Sequence, residues 1–309
     1  MVAISTEQTI QLPDGRQLGY GQYGVPDGDP IFFFHGTPGS RLSGLHSGIL
    51  ASSRGARIIA PDRPGYGLSD FQPRRTIMDW TRDVEALAGA LDIERFAVLG
   101  YSGGGAFAAA CAVALSGRLT RVAMVSSMGP PESTGSIEGL TKRHRASWFA
   151  ARRLPLLVRL YTARIAARGR RHAERLVDER AASSPPADQA VIGRPVIHAM
   201  IAEDLKEAFS QGGRATAQEF TLLTRPWGFG LDEIKLPIQL WHGEQDTVNP
   251  VQLARNSASI IPSCDARFIA EAGHLLLIDH AGAILDALLS AEPVPLSDDA
   301  SDEERSAGQ

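Results

Sequence analysis

Apolar runs and the residues that interrupt them divide the chain into two rhythms. Near the start, "QTIQL" and "RQLGYGQYG" alternate around the turn "PDG" and predict an antiparallel hairpin. "PIFFFHG" is a continuous apolar run that ends in glycine, as expected of a strand covered on both faces. "ARIIAPDRPGYG" repeats the pattern: a short apolar strand followed by a loop rich in Pro and Gly. "TIMDWTRDVEALAGALD" is amphipathic at helical spacing, and Thr76 with Asp79 three residues on marks its start. "FAVLG" predicts the next strand, "GGAFAAACAVALSG" a helix stopped at Gly117, and "RVAMVSS" a further strand. After a long different region, "PIQLWHG" and "ARFIAE" read as strands, with helices near "PVQLARNSASI" and "LLLIDHAGAILDALLS". A hairpin leading into repeated strand–helix units specifies an α/β fold with a mainly parallel sheet and helices on both faces.

Between about Pro130 and Gly230 this rhythm breaks. β-branched runs are few, helical patterns are several, and Pro155, "SSPP" and Pro195 punctuate them. The expected organisation is a core of residues 1–129 and 231–290, a helical cap over 130–230, and a tail over 291–309. That tail, "EPVPLSDDASDEERSAGQ", is acidic and almost free of apolar residues, which predicts disorder.

Composition narrows the class of function. The 309 residues are 43% hydrophobic and 21% charged, ordinary for a globular protein, and the net charge of -4 speaks against nucleic-acid binding. Cys111 and Cys264 form no spacing pattern, so neither a disulfide scaffold nor a metal site is expected. Cys111 lies in an apolar segment and reads as a small hydrophobe. The N-terminus lacks a basic start followed by an apolar core, and no run is long enough to span a bilayer. The expected compartment is the cytoplasm.

Candidate chemistry falls where the strands end. In open parallel sheets, ligands bind beyond the carboxyl ends of the strands. His35 and Gly36 follow "IFFF", Ser102 follows "FAVLG", Asp246 follows "IQLWHGEQ" and His274 follows "RFIAEAG". The pattern G-x-S-x-G from Gly100 to Gly104 fits a sharp strand-to-helix turn that lifts a serine hydroxyl clear of the sheet. A neutral hydroxyl needs a base, and His274 is the leading candidate. The base needs a carboxylate to fix its tautomer; Asp246 is best placed, with Glu244, two residues earlier, as the alternative. The Gly103 N–H and the Thr37 backbone in "HGTPG" are the expected oxyanion donors. His35 reads as a buttress of that loop rather than a base, and His242 and His280 as structural. "GYSGGG" lacks the lysine of a nucleotide-binding loop.

With these residues in place the chain resembles the α/β-hydrolase superfamily. "HGTPG", "PDRPGYGLSD", "GYSGGG", "HGEQD" and "AGH" occur in the family's order over roughly residues 8–130 and 231–290. The resemblance implies an eight-stranded sheet, a helical cap, and the catalytic triad Ser102, Asp246 and His274. It gives Asp62 a structural role in the loop beside the site. Dehalogenases and epoxide hydrolases of this fold use aspartate where Ser102 stands. Proline iminopeptidases share the "HG-x-PG" loop but carry tryptophan where Gly103 stands. The expected activity is that of a carboxylesterase-like serine hydrolase acting on an ester, thioester or lactone of a small, mostly apolar substrate, without a cofactor. Three alternatives stay open: a C–C bond hydrolase of a ring-cleavage diketone, an aminopeptidase, and a ligand receptor that kept the triad. His35, Gly36, Tyr101, Trp148 and Phe149 are the expected substrate contacts.

One stretch fits none of this. From Gly139 to Ala173 there are ten Lys or Arg and no acid. Leu156, Leu157, Leu160, Tyr161 and Ile165 share one possible helical face there. The simplest reading is a cap helix that covers the pocket with this face and turns its basic face to water. Contact with an anionic membrane surface and attraction of an anionic substrate are the alternatives. Oligomeric state has no signature in the sequence.

Overall fold

The structure, a computed structural model, describes residues 3–131 and 142–290. The expected acidic tail and residues 132–141 of the expected cap lie outside the described residues.

Eight strands form one sheet in the order β1-β2-β4-β3-β5-β6-β7-β8. The hairpin is β1 (Ala3–Gln11) and β2 (Gln17–Gly24), and β2 also pairs antiparallel with β4 (Ala56–Pro61). The strands β3 (Asp29–Phe34), β5 (Phe96–Tyr101), β6 (Leu119–Val125), β7 (Ile238–Gly243) and β8 (Cys264–Ile269) run parallel to β4.

The continuous apolar runs follow from burial on both faces. In β3, Phe32 and Phe34 pack on the side of α2 (Asp79–Ala90) and α3 (Gly104–Ala114). Ile31 and Phe33 alternate to the side of α1 (Leu45–Ser52) and α10 (Leu276–Leu289). The predicted start of α2 is present as a reciprocal cap: Asp79 donates its N–H to Thr76 Oγ1, and the Asp79 carboxylate accepts the Thr76 N–H and hydroxyl. Cys111 is fully buried on α3, and burial pushes its thiol pKa up.

Between β6 and β7 the described chain is helical. The elements are α4 (Lys142–Arg153), α5 (Pro155–Ser183), α6 (Pro186–Ile192), α7 (Pro195–Ala208) and α8 (Arg214–Leu223). Helix α9 (Val251–Ile260) then packs beside β7 and β8. No helix among the described residues is long and apolar enough to cross a membrane.

Register brings distant residues to one edge. Phe34 pairs with Gly100, so the loop after β3 lies beside the loop after β5. Gly243 pairs with Ile269, so the loops after β7 and β8 also lie side by side.

Candidate active site

Ser102 occupies the turn between β5 and α3 with φ of 52°, a left-handed conformation strained for a non-glycine residue. Its N–H donates to Val125 O at 2.8 Å, which pins the turn to the neighbouring strand. The glycines around it leave no room for side chains. A Cβ on Gly104 would stand 2.1 Å from Phe34 O, and one on Gly105 would stand 1.9 Å from Ser127 Oγ. The second contact shows Gly105 as the point where α3 closely approaches the segment after β6.

The Ser102 hydroxyl lies 3.0 Å from His274 Nε2, and His274 Nδ1 lies 2.8 Å from Asp246 Oδ2. With Nδ1–H donating to the carboxylate, Nε2 is free to accept the serine proton. The Asp246 Oδ1 accepts the N–H groups of Val248 and Asn249 at 2.8 Å each. Burial alone would raise the Asp246 pKa. His274, the nearby His242 and the Asn249 N–H outweigh burial and hold it below the ordinary value. Glu244, the alternative acid, is exposed and paired with Arg255, so the geometry selects Asp246.

The N–H groups of Thr37 and Gly103 have no acceptor among the described residues, and both residues line the cavity that contains Ser102. Gly103 also opens helix α3, whose positive end faces the site. The cavity holds about 460 Å³, within the usual range for small-molecule sites. Trp148, Val158, Tyr161, Phe220 and Leu223 give it mostly apolar walls. Among the described residues, no cluster of side chains could hold a metal ion.

The chain matches the family model of the alpha/beta hydrolase fold over residues 29–281. It is an alpha/beta hydrolase. Over 124 residues this hydrolase is 37% identical to a non-heme chloroperoxidase from Streptomyces lividans, a match that covers 40% of this chain and 45% of that one. The chain thus spans under half the length of that relative. It is 24% identical over 269 residues to a 2-hydroxymuconate semialdehyde hydrolase from Pseudomonas putida, covering 82% of this chain and 84% of the relative. A solved hydrolase from Pseudomonas aeruginosa shares the fold, with a TM-score of 0.70 at 20% identity over 93% of this chain and 99% of that one.

Four of the five expected substrate contacts lie away from the Ser102 cavity. His35 is fully buried and does not line the cavity. Its Nδ1–H donates to Gly36 O at 2.8 Å and its Nε2 accepts the Arg63 N–H at 3.1 Å. Burial, reinforced by Arg63, lowers its pKa well below the ordinary value, so it stays neutral. Phe149 is 60% exposed on the outer face of α4 and does not line the cavity, because Trp148 takes the inward position of that turn. Gly36 and Tyr101 line a second, smaller cavity of about 100 Å³, together with Arg180 and Asp204. Trp148 and Tyr161 do line the Ser102 cavity.

The expected inward face of the basic helix meets the cavity only at Leu157 and Tyr161, and Ile165 is half-buried. Leu156, Leu157, Leu160 and Tyr161 are exposed, while Val158, Thr162, Ala166 and Gly169 are buried. The small residues let α5 approach its neighbours closely, and the large ones are left outside.

Sequence reasoning missed the carboxylates that join the helical segment to the loops carrying Thr37 and His274. Asp188 on α6 accepts the N–H of His274 at 3.0 Å and of Leu275 at 2.8 Å. Glu219 on α8 accepts from the buried Arg63, Arg75 and Tyr66 and from the hydroxyl of the half-buried Thr37. Burial opposes its charge, but Arg63 and Arg75 hold the carboxyl well below the ordinary range. Arg63 also donates to the carbonyls of His35 and Gly36, which fixes the loop carrying Thr37. Asp204 on α7 accepts from Ser40 and Ser43, and burial raises its pKa to about 6 against those hydrogen bonds. Asp62 takes the structural role expected of it, accepting from Arg41 and the Leu68 N–H. The missed residues do carry a signal. Asp188 lies on a buried stripe with Val191 and Ile192, and Glu219 on one with Ala215, Thr216 and Leu223. An acid on an apolar helical face needs a buried partner.

Proposed function

We propose that this chain is a serine hydrolase that cleaves a carboxylic ester, thioester or lactone through an acyl-enzyme on Ser102. The observation that carries the reading is the continuous chain of contacts from Ser102 Oγ through His274 to Asp246, at 3.0 and 2.8 Å, opening into an apolar cavity.

In the first step Ser102 Oγ attacks the carbonyl carbon while its proton passes to His274 Nε2. The carbonyl oxygen becomes an oxyanion held by the Thr37 and Gly103 N–H groups. Collapse breaks the bond to the leaving oxygen or sulfur, which takes the proton from His274. Water then attacks the acyl carbon, giving its proton to His274, and collapse returns that proton to Ser102 Oγ. One water is consumed and one acid released. Asp246 holds the imidazole in its tautomer and offsets its charge in both halves.

The test is turnover of aryl esters of increasing acyl length by the wild type and by Ser102→Ala. The expected loss in Ser102→Ala is roughly 10⁴–10⁶-fold in kcat, with a fluorophosphonate probe labelling only the wild type. Equal rates for the two proteins sink the assignment. The near full-length similarity to the Pseudomonas putida semialdehyde hydrolase favours one second reading, hydrolysis of a C–C bond in a ring-cleavage diketone. A diketone turned over faster than every ester in the panel selects it.

A further inference from the structure

Leu156, Leu157, Leu160 and Tyr161 are 56–67% exposed, and they sit at spacings that place them on one face of α5. Phe149 on α4 and Leu154 at the α4–α5 junction are exposed as well. Isolated exposed apolar residues are normal, but a ridge of this kind marks an interaction surface. The opposite face of α5 buries Val158, Thr162, Ala166 and Gly169, and α5 packs on α7 and α8. The ridge therefore faces outward without any rearrangement.

Charge sets the kind of partner. Arg152, Arg153, Arg159 and Arg164 are exposed on the same two helices, and no described carboxylate is within ion-pair distance of them. No acid occurs between Gly139 and Ala173, although the whole chain carries a net charge of -4. Basic charge is thus segregated onto the apolar ridge. An exposed apolar ridge with arginines beside it matches a helix lying in the interface of an anionic lipid layer.

The ridge also adjoins the candidate active site. Leu157 and Tyr161 are exposed, and they line the cavity that holds Ser102.

We propose that the α4–α5 face of the cap docks on an anionic lipid surface. The leucines and Tyr161 enter the acyl boundary while the arginines meet the headgroup phosphates. On the serine-hydrolase reading above, an apolar acyl group then passes from the lipid layer into the cavity without crossing water.

The experiment is co-sedimentation of the full chain with vesicles of phosphatidylcholine alone or mixed with phosphatidylglycerol. The expected result is at least about tenfold stronger partition onto the anionic vesicles at low salt, weakened by added salt. Leu156→Asp/Leu160→Asp lies outside the cavity lining. It should lose that partition about tenfold or more while keeping the wild-type Tm and the turnover of a soluble short-chain ester. Arg152→Gln/Arg153→Gln should lose the preference for the anionic vesicles. Ser102→Ala should partition as the wild type does, which separates lipid docking from hydrolysis. Absence of sedimentation with either vesicle at low salt overturns the proposal. So does unchanged partition of the Leu156→Asp/Leu160→Asp variant. A wild-type dimer that this variant converts to monomer assigns the ridge to a second copy of the chain, and also overturns it.

Discussion

Both oxygens of the Asp188 carboxylate accept consecutive backbone N–H groups, those of His274 and Leu275, so this side chain sets where the imidazole stands. It reaches His274 from α6 and is itself buried. Asp188→Asn keeps the shape but turns one acceptor into a donor facing an N–H. Such an unmet buried group costs about 1–3 kcal/mol. The expected outcome is a roughly 5–100-fold lower kcat and slower fluorophosphonate labelling, with KM little changed. Equal labelling rates in the wild type and Asp188→Asn count against a positioning role. Ser102, Asp246 and His274 were legible because strand ends and glycine turns are local signals. Asp188 was not, because its partners lie 86 and 87 positions away and only the packing of α6 brings them together.

At the scale of elements, the strands and the helices beside them were readable because burial on both faces writes unbroken apolar runs. The helices between β6 and β7 carried a weaker code. The orientation of α5 depends on which face admits close approach, and small buried residues such as Ala166 and Gly169 decide it over the larger leucines. A close contact also links α3 to the segment that follows β6. Gly105→Ala forces a methyl group onto Ser127 Oγ. The expected cost is about 1–3 kcal/mol of stability, read as a lower midpoint in urea. Adding Ser127→Gly should recover most of it. A double variant no more stable than Gly105→Ala places the strain elsewhere.

The whole molecule brings opposing titrations together. Glu219 and Asp246 have folded pKa values below their ordinary ones. The stability they contribute is complete above about pH 4.5 and is lost as the pH falls toward their folded values. His35 and His242 are also lowered by burial, so unfolding lets them take up protons below about pH 6.5, and acid destabilises the fold through them too. Asp62 and Asp204, raised to about 6, act in the other direction: their contribution is complete at low pH and fades as the pH rises through 6. Tm is therefore expected to change little between about pH 4.5 and 6.5 and to fall steeply below about pH 4. Glu219→Gln leaves Arg63 and Arg75 without their carboxylate. It should cost about 3–5 kcal/mol at neutral pH and make the acid fall shallower. An acid limb as steep as the wild type's in Glu219→Gln removes Glu219 from this account. Thermal melts across this pH range give the measurement.

Asp188, Asp204 and Glu219 also limit how the protein can be altered. Each begins on a helix of the inserted segment and ends on a loop that follows a sheet strand: Asp188 at His274, Asp204 at Ser40 and Ser43, Glu219 at Arg63 and Thr37. The segment is therefore not an interchangeable cassette. A transplanted segment without acids at these three places would leave Arg63 and Arg75 as uncompensated buried cations and release the loops that carry Thr37 and His274. Changes of substrate range that keep these acids, and vary only walls such as Trp148, Val158 and Phe220, leave that wiring intact.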